Sequence, residues 1–277
     1  MPYATNALDG RRIYFEDDGG DHPVVVVHGG FGEPVDLVRQ LPLLQGLPSG
    51  EFRLVYVDHR GHGRSDRPHD PGAYTIRLRV ADAVGVLDEL RVERAHFLGI
   101  SWGGRLGFGI GQHAPDRVRS LVNGGQQPYR WPDSPLVRVV TDGLADSNRQ
   151  GSLQPLLAAF ERFWQVTFPP VRRASVLAND PVALEAAWQA ALAEGPVATD
   201  MSRWRVPCLI FLGGADADFV ELARRAADEI PGARFLSLVG EDHFQAHAGE
   251  HGPILEAVLA TLRGAGGAGP QQDRRTS

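Results

Sequence analysis

The sequence predicts an α/β fold, in which helices flank a mostly parallel central sheet and a helical lid is inserted before the last strands. Three observations carry this reading. Apolar runs at 24–27, 54–57, 96–100, 120–122, 208–212 and 235–239 are short and continuous, as in strands buried on both faces. Segments with helical spacing separate many of them. Between 125 and 205 the alternation stops, and helical patterns rich in aromatic residues replace it.

The first run is four valines and the second reads Leu-Val-Tyr-Val, compositions suited to buried strands. Ile76, Val80, Val84, Leu87 and Leu90 then recur at helical spacing ahead of the run at 96–100. In the inserted segment one amphipathic helix carries Leu153, Leu156, Leu157, Phe160, Phe163 and Trp164. A second begins near Asp180-Pro181 and carries Leu184, Trp188 and Leu192. Trp131, Trp164 and Trp188 read either as lid core or as the wall of a substrate pocket, and the sequence leaves both open. After the run at 208–212, Phe219, Leu222, Ala226 and Ile230 mark another helix. A last one starts at Pro253, allowed in a first turn, and carries Ile254, Leu255, Val258, Leu259 and Leu262. The expected division is a core of residues 1–124 and 206–263, a lid of 125–205 and a Gly-rich, disordered tail of 264–277.

With 277 residues, 43% of them hydrophobic, the chain can bury a sizeable core as one domain with an insertion. A net charge of −6 with scattered arginines argues against a nucleic-acid partner, which needs basic residues gathered on one face. Cys208, the single cysteine, sits in an apolar run and reads as a buried strand thiol. The N-terminus shows no basic region followed by an apolar stretch, and no apolar run approaches the roughly 20 residues of a membrane span. A cytoplasmic protein with no membrane partner is expected, its oligomeric state open.

The stretch His96-Phe97-Leu98-Gly99-Ile100-Ser101-Trp102-Gly103-Gly104 ends an apolar run in Gly-x-Ser-x-Gly and leads into a helical segment. It reads as a nucleophile elbow, a sharp strand-to-helix turn that lifts the serine hydroxyl clear of its neighbours. Such a serine needs a base and an orienting acid. Asp216 follows the run at 208–212 and His243 follows the run at 235–239, both at the carboxyl ends of strands, where catalytic groups of parallel sheets collect. Asp218 shares the acid's loop and is its rival. His247 and His251 follow His243 at four-residue steps, a metal-like spacing on a continuous helix, but Gly249 and Pro253 interrupt that helix. They read as surface or helix-entry residues, and neither a metal nor another cofactor is expected.

Taken together, His28-Gly29-Gly30-Phe31-Gly32, Asp58-His59-Arg60-Gly61-His62-Gly63-Arg64-Ser65-Asp66, the elbow and the late acid and histidine loops stand in an order and spacing that cover most of residues 24–262. In these motifs the chain resembles the α/β-hydrolase superfamily, specifically its lidded branch of esterases, lactonases, carbon–carbon bond hydrolases and proline iminopeptidases. The resemblance implies a Ser101–His243–Asp216 triad. It also implies an oxyanion hole made by the backbone N–H of Trp102 and that of Gly30 or Phe31, with His28 supporting the loop. The activity it implies is hydrolysis of a small carboxylic ester or lactone through an acyl-enzyme. An iminopeptidase fits the Gly-rich loop, although Phe31 departs from the proline common there, and a carbon–carbon bond hydrolase can use the same triad. Ser101 stands where haloalkane dehalogenases and epoxide hydrolases of this superfamily carry aspartate, which argues against both chemistries. A non-catalytic ligand-binding protein on this fold is the alternative of another class, and it would need none of this constellation.

Overall fold

All six apolar runs form parallel strands, and two antiparallel strands precede them in one eight-stranded sheet. The computed structural model describes residues 2–20, 23–27, 29, 32–48, 50–249 and 252–264. The strands are β1 (Tyr3–Thr5), β2 (Arg12–Asp17), β3 (Pro23–Val27), β4 (Arg53–Val57), β5 (Ala95–Ile100), β6 (Val118–Gly124), β7 (Cys208–Gly213) and β8 (Arg234–Leu238). Their order across the sheet is β1-β2-β4-β3-β5-β6-β7-β8. The sequence reading lacks β1 and β2 because β2 has only Ile13, Tyr14 and Phe15 in the core. Its charged end pairs outward instead, Asp17 with Arg53 and Glu16 with Arg39, each at 2.9 Å. Val239 lies beyond β8 and is 95% exposed.

The helices are α1 (Val35–Val38), α2 (Pro42–Gln45), α3 (Ile76–Glu89), α4 (Trp102–His113), α5 (Pro135–Gln150), α6 (Gln154–Phe163), α7 (Pro170–Leu177), α8 (Pro181–Ala193), α9 (Ala217–Glu229), α10 (Gln245–Ala248) and α11 (Gly252–Gly264). Thr75, Ser134 and Asp180 cap α3, α5 and α8 by accepting from backbone N–H groups of the first turn. Successive strand residues point to opposite faces. Phe97, Ile210 and Leu212 therefore join a core with α3, α4 and α9, while Leu98, Ile100, Leu209 and Phe211 join another with α1, α2 and α11. Each large apolar side chain so buried contributes about 1.5–3 kcal/mol.

Helices α5–α8 lie between β6 and β7 and build a third core around Leu144, Leu153, Leu156, Leu157, Leu184 and Trp188. Val197, Ala198, Met201 and Trp204, at the end of that segment, pack instead with the sheet and α3, α4 and α9. Cys208 is buried. No helix among the described residues is long and apolar enough to cross a membrane. His28, Gly30, Phe31, His251 and the expected tail from 265 onward lie outside the described residues.

The loop after β4 is buried and polar. Asp58 accepts from the backbone N–H groups of Val35 at 2.9 Å and Arg64 at 2.8 Å, yet burial still raises its carboxyl to about 6. Burial also lowers the His62 imidazole to about 4. The two groups act on stability with opposite sign. An unfolded His62 takes a proton below about 6.5 while the native one stays neutral, so its contribution to stability is lost as pH falls from about 6.5 to about 4. Native Asp58 is protonated from about 6 downward while the unfolded group waits until about 3.8, so stability is regained over nearly the same window. Each shift corresponds to roughly 3 kcal/mol. Urea titrations at pH 7 and pH 4 should therefore show His62→Asn gaining on the wild type by about that amount as pH falls, and Asp58→Asn losing ground. Parallel behaviour of all three proteins would refute these assignments.

Candidate active site

Strand β5 delivers Ser101 to the carboxyl edge of the sheet, and the turn into α4 forces the residue to φ 53°, ψ −112°. Residues other than glycine rarely adopt a positive φ, so the surroundings must hold it. The Ser101 N–H donates to Gly124 O at 2.8 Å, and the Arg105 N–H donates to Ser101 O at 3.1 Å. Gly99 has no substitute, because a Cβ there would collide with the carbonyl of Gly103 across the turn. Trp102 is the first residue of α4, where backbone N–H groups point out of the helix end.

The two late loops are tied to each other. Gly214 N–H donates to Leu238 O at 2.7 Å and Ala215 N–H to Glu241 O at 2.8 Å, which fixes the segment carrying Asp216 against the one carrying His243. His243 Nε2 lies 2.9 Å from Ser101 Oγ. On its other side, Nδ1 lies 3.3 Å from Asp216 Oδ2, within ion-pair range but off the alignment of a good hydrogen bond. Asp218 is exposed in the first turn of α9, so of the two acids it is Asp216 that meets the imidazole. The Trp164 ring lies parallel to that of His243, with centroids 6.4 Å apart. With the proton on Nδ1, Nε2 can accept the hydroxyl proton of Ser101.

A cavity of about 880 Å³, its open mouth included, lies over Ser101 and His243. Trp131, Trp164 and Trp188 all line it, along with Val137, Val140, Phe160 and Phe168. The three rings line the cavity and also pack with other aromatic side chains. Trp131 and Trp188 pack 4.9 Å apart and both meet Trp102, at 6.1 and 5.9 Å, while Trp188 is also part of the core of α5–α8. His247 differs from its surface reading. The short α10 carries it into the cavity wall, edge-on to His243 with centroids 4.7 Å apart. Gly125, at φ 68°, leaves the space the ring fills. Glu33, Arg172 and Phe244 also line the cavity and carried no sequence signal of their own.

The arginines are not all at the surface. Arg105 is fully buried, donates to the carbonyls of Gln127, Tyr129 and Gly195, and lies 4.9 Å over the Trp131 ring. Arg79 is buried 4.7 Å over Trp102. Burial lowers Arg105 to about 9 and Arg79 to about 10. Among the described residues no group of three or more His, Cys, Asp or Glu is arranged to hold a metal ion.

The family model of the alpha/beta hydrolase fold matches residues 22–207. The chain belongs to the α/β-hydrolase family. Over 138 residues this hydrolase-family chain is 31% identical to the cis-3-alkyl-4-alkyloxetan-2-one decarboxylase of Shewanella oneidensis, covering 48% of this chain and 42% of that protein. Over 104 residues it is 38% identical to epoxide hydrolase 3 of Siraitia grosvenorii, covering 38% of this chain and 32% of that one. The chain thus spans less than half the length of these curated relatives. The crystal structure of the enol-lactonase from Burkholderia xenovorans LB400 shares the fold, with a TM-score of 0.73 and 24% identity over 95% of this chain and 100% of that one.

Proposed function

We propose that the protein is a serine hydrolase that cleaves a small carboxylic ester or lactone through an acyl-enzyme. The observation that carries this reading is the 2.9 Å approach of Ser101 Oγ to His243 Nε2 at the base of an aromatic cavity. In the reaction His243 takes the Ser101 proton as Oγ attacks the carbonyl carbon, then returns it to the leaving oxygen. Water repeats the cycle on the acyl-enzyme. Asp216 orients the imidazole and stabilises its cation. The oxyanion forms against the N–H of Trp102 and a second donor, assigned to Gly30 or Phe31. Nothing in this scheme calls for a cofactor. The oxetan-2-one in the Shewanella relative's name is a cyclic ester, which is in keeping with a lactone substrate. Ser101 at the elbow distinguishes this chain from the aspartate chemistry of epoxide hydrolysis.

The test is a panel of p-nitrophenyl esters, lactones and proline-linked chromogenic amides, run beside fluorophosphonate labelling with peptide mapping. Turnover of esters or lactones with the label on Ser101 is expected. Preference for the amides would transfer the protein to the peptidases, and neither turnover nor label would leave a binding protein.

A further inference from the structure

Glu33 and Arg172 form an ion pair within the wall of the cavity, bridging the segment after β3 and helix α7. Little of either side chain reaches solvent, 14% for Glu33 and 22% for Arg172. A Cβ on Gly29 would stand 2.7 Å from Glu33 Oε2 and 3.6 Å from Ser101 Cβ, which puts the carboxylate beside the nucleophile. The guanidinium of Arg172 lies 5.0 Å from the ring centres of both Phe168 and Phe244, and Phe244 directly follows His243.

Arg172 is not on a free arm. Arg172, Ser175, Val176 and Asn179 share one face in and just beyond α7. Ser175 Oγ donates to Gly32 O at 3.3 Å, and Asn179 Oδ1 accepts from the Gly63 N–H at 3.2 Å. The rest of the wall is mainly aromatic and aliphatic. A cation held this way, with aromatic rings against it and a carboxylate as its partner, has no net charge to offer a ligand. A second carboxylate entering the same apolar space would meet Glu33 at close range and low dielectric.

We propose that Glu33 is a specificity-determining residue: by neutralising Arg172 beside Ser101, it reserves the pocket for acyl groups without charge and rejects those ending in a carboxylate. This rests on the reading of the cavity as the substrate pocket of a serine hydrolase.

The test compares p-nitrophenyl valerate with mono-p-nitrophenyl glutarate, acyl chains of equal carbon count that differ by a terminal carboxylate. Wild type is expected to favour valerate by about 100-fold or more in kcat/KM, and Glu33→Gln to narrow that ratio at least roughly 10-fold through the KM of the glutarate. Arg172→Met, which leaves Glu33 as an uncompensated anion, should widen the ratio. A wild type that takes both esters equally or prefers glutarate overturns the proposal, as does a Glu33→Gln ratio equal to that of wild type. A binding measurement separates this from the hydrolase reading. Tryptophan fluorescence titration of Ser101→Ala at pH 8 should rank 4-phenylbutyramide above 4-phenylbutyrate, and adding Glu33→Gln should close the gap. That ranking without Ser101 labelling would refute the hydrolase and keep the charge selection, whereas labelling without the ranking would do the reverse.

Discussion

Ser101→Ala is expected to lower kcat on the best ester by about 10⁴ to 10⁶, His243→Ala by nearly as much, and the double variant by no more than either alone. The reason lies in the 2.9 Å contact between Oγ and Nε2. A serine without its base is a poor nucleophile at neutral pH, and a base without its serine has no proton to move. The two side chains therefore act as a unit, and removing the second costs little once the first has gone. In the proposed mechanism the residual rate, about 10³ to 10⁴ over water, comes from the oxyanion donors and from binding. Alanine at 101 inherits the same positive φ as serine and adds no volume, so the variant should keep the wild-type thermal midpoint. Losses that add on a logarithmic scale would mean that the two residues act independently, and the proposed mechanism would fail.

Much of this architecture is legible in the chain because burial on both faces leaves a continuous apolar signature. β4 to β7 carry it, the edge strand β8 has an apolar run although it is only half-buried, and α3, α9 and α11 are legible through their spacing. β2 does not, since a strand of six residues with charged ends and three core residues looks like loop. The elbow is readable for a stereochemical reason, since Gly99 and Gly104 stand where a Cβ cannot fit. Asp216 is the acid the sequence favours over Asp218, and the choice rests on loop position because two residues at a helix start differ in direction rather than in type. Glu33, Arg172 and His247 are legible only in space. Each is an ordinary polar residue in sequence and becomes part of the cavity through an element that folds back from elsewhere: the segment after β3, α7 and α10. The buried arginines were hidden in the same way, since periodicity records apolar burial and is silent about charges that bury in pairs or against carbonyls.

Asp82→Ala should cost about 3–5 kcal/mol of folding free energy, the range for breaking one side of a buried ion pair. Arg60, with no exposed side-chain surface, donates from Nε to Asp82 Oδ2 and from Nη2 to Oδ1, each at 2.6 Å. Burial works against charge on Arg60, and the bonds from Asp82 and Asp9 overcome it, holding the guanidinium above its ordinary pKa. Removing Asp82 leaves that cation in a dry site with Asp9 as its remaining carboxylate partner, at 2.8 Å and nearer the surface, and it strips the Asn6 amide of an acceptor at 2.6 Å. Asp9→Ala keeps the two-pronged bond and should cost about 1 kcal/mol or less. The decisive variant is Arg60→Met with Asp82→Leu, which exchanges the charges for apolar volume and should recover most of the loss, because desolvating the pair had already consumed much of its attraction. Urea midpoints at constant m would measure all three. Equal losses for Asp82→Ala and Asp9→Ala would place the anchor of the β4 loop elsewhere. The same comparison reaches the candidate active site, because Gly63, in the loop Arg60 fixes, donates its backbone N–H to Asn179 Oδ1 just beyond α7. Because that loop is one of the supports of α7, Asp82→Ala should raise KM for the ester at temperatures where the protein is still folded, while Asp9→Ala should leave it unchanged.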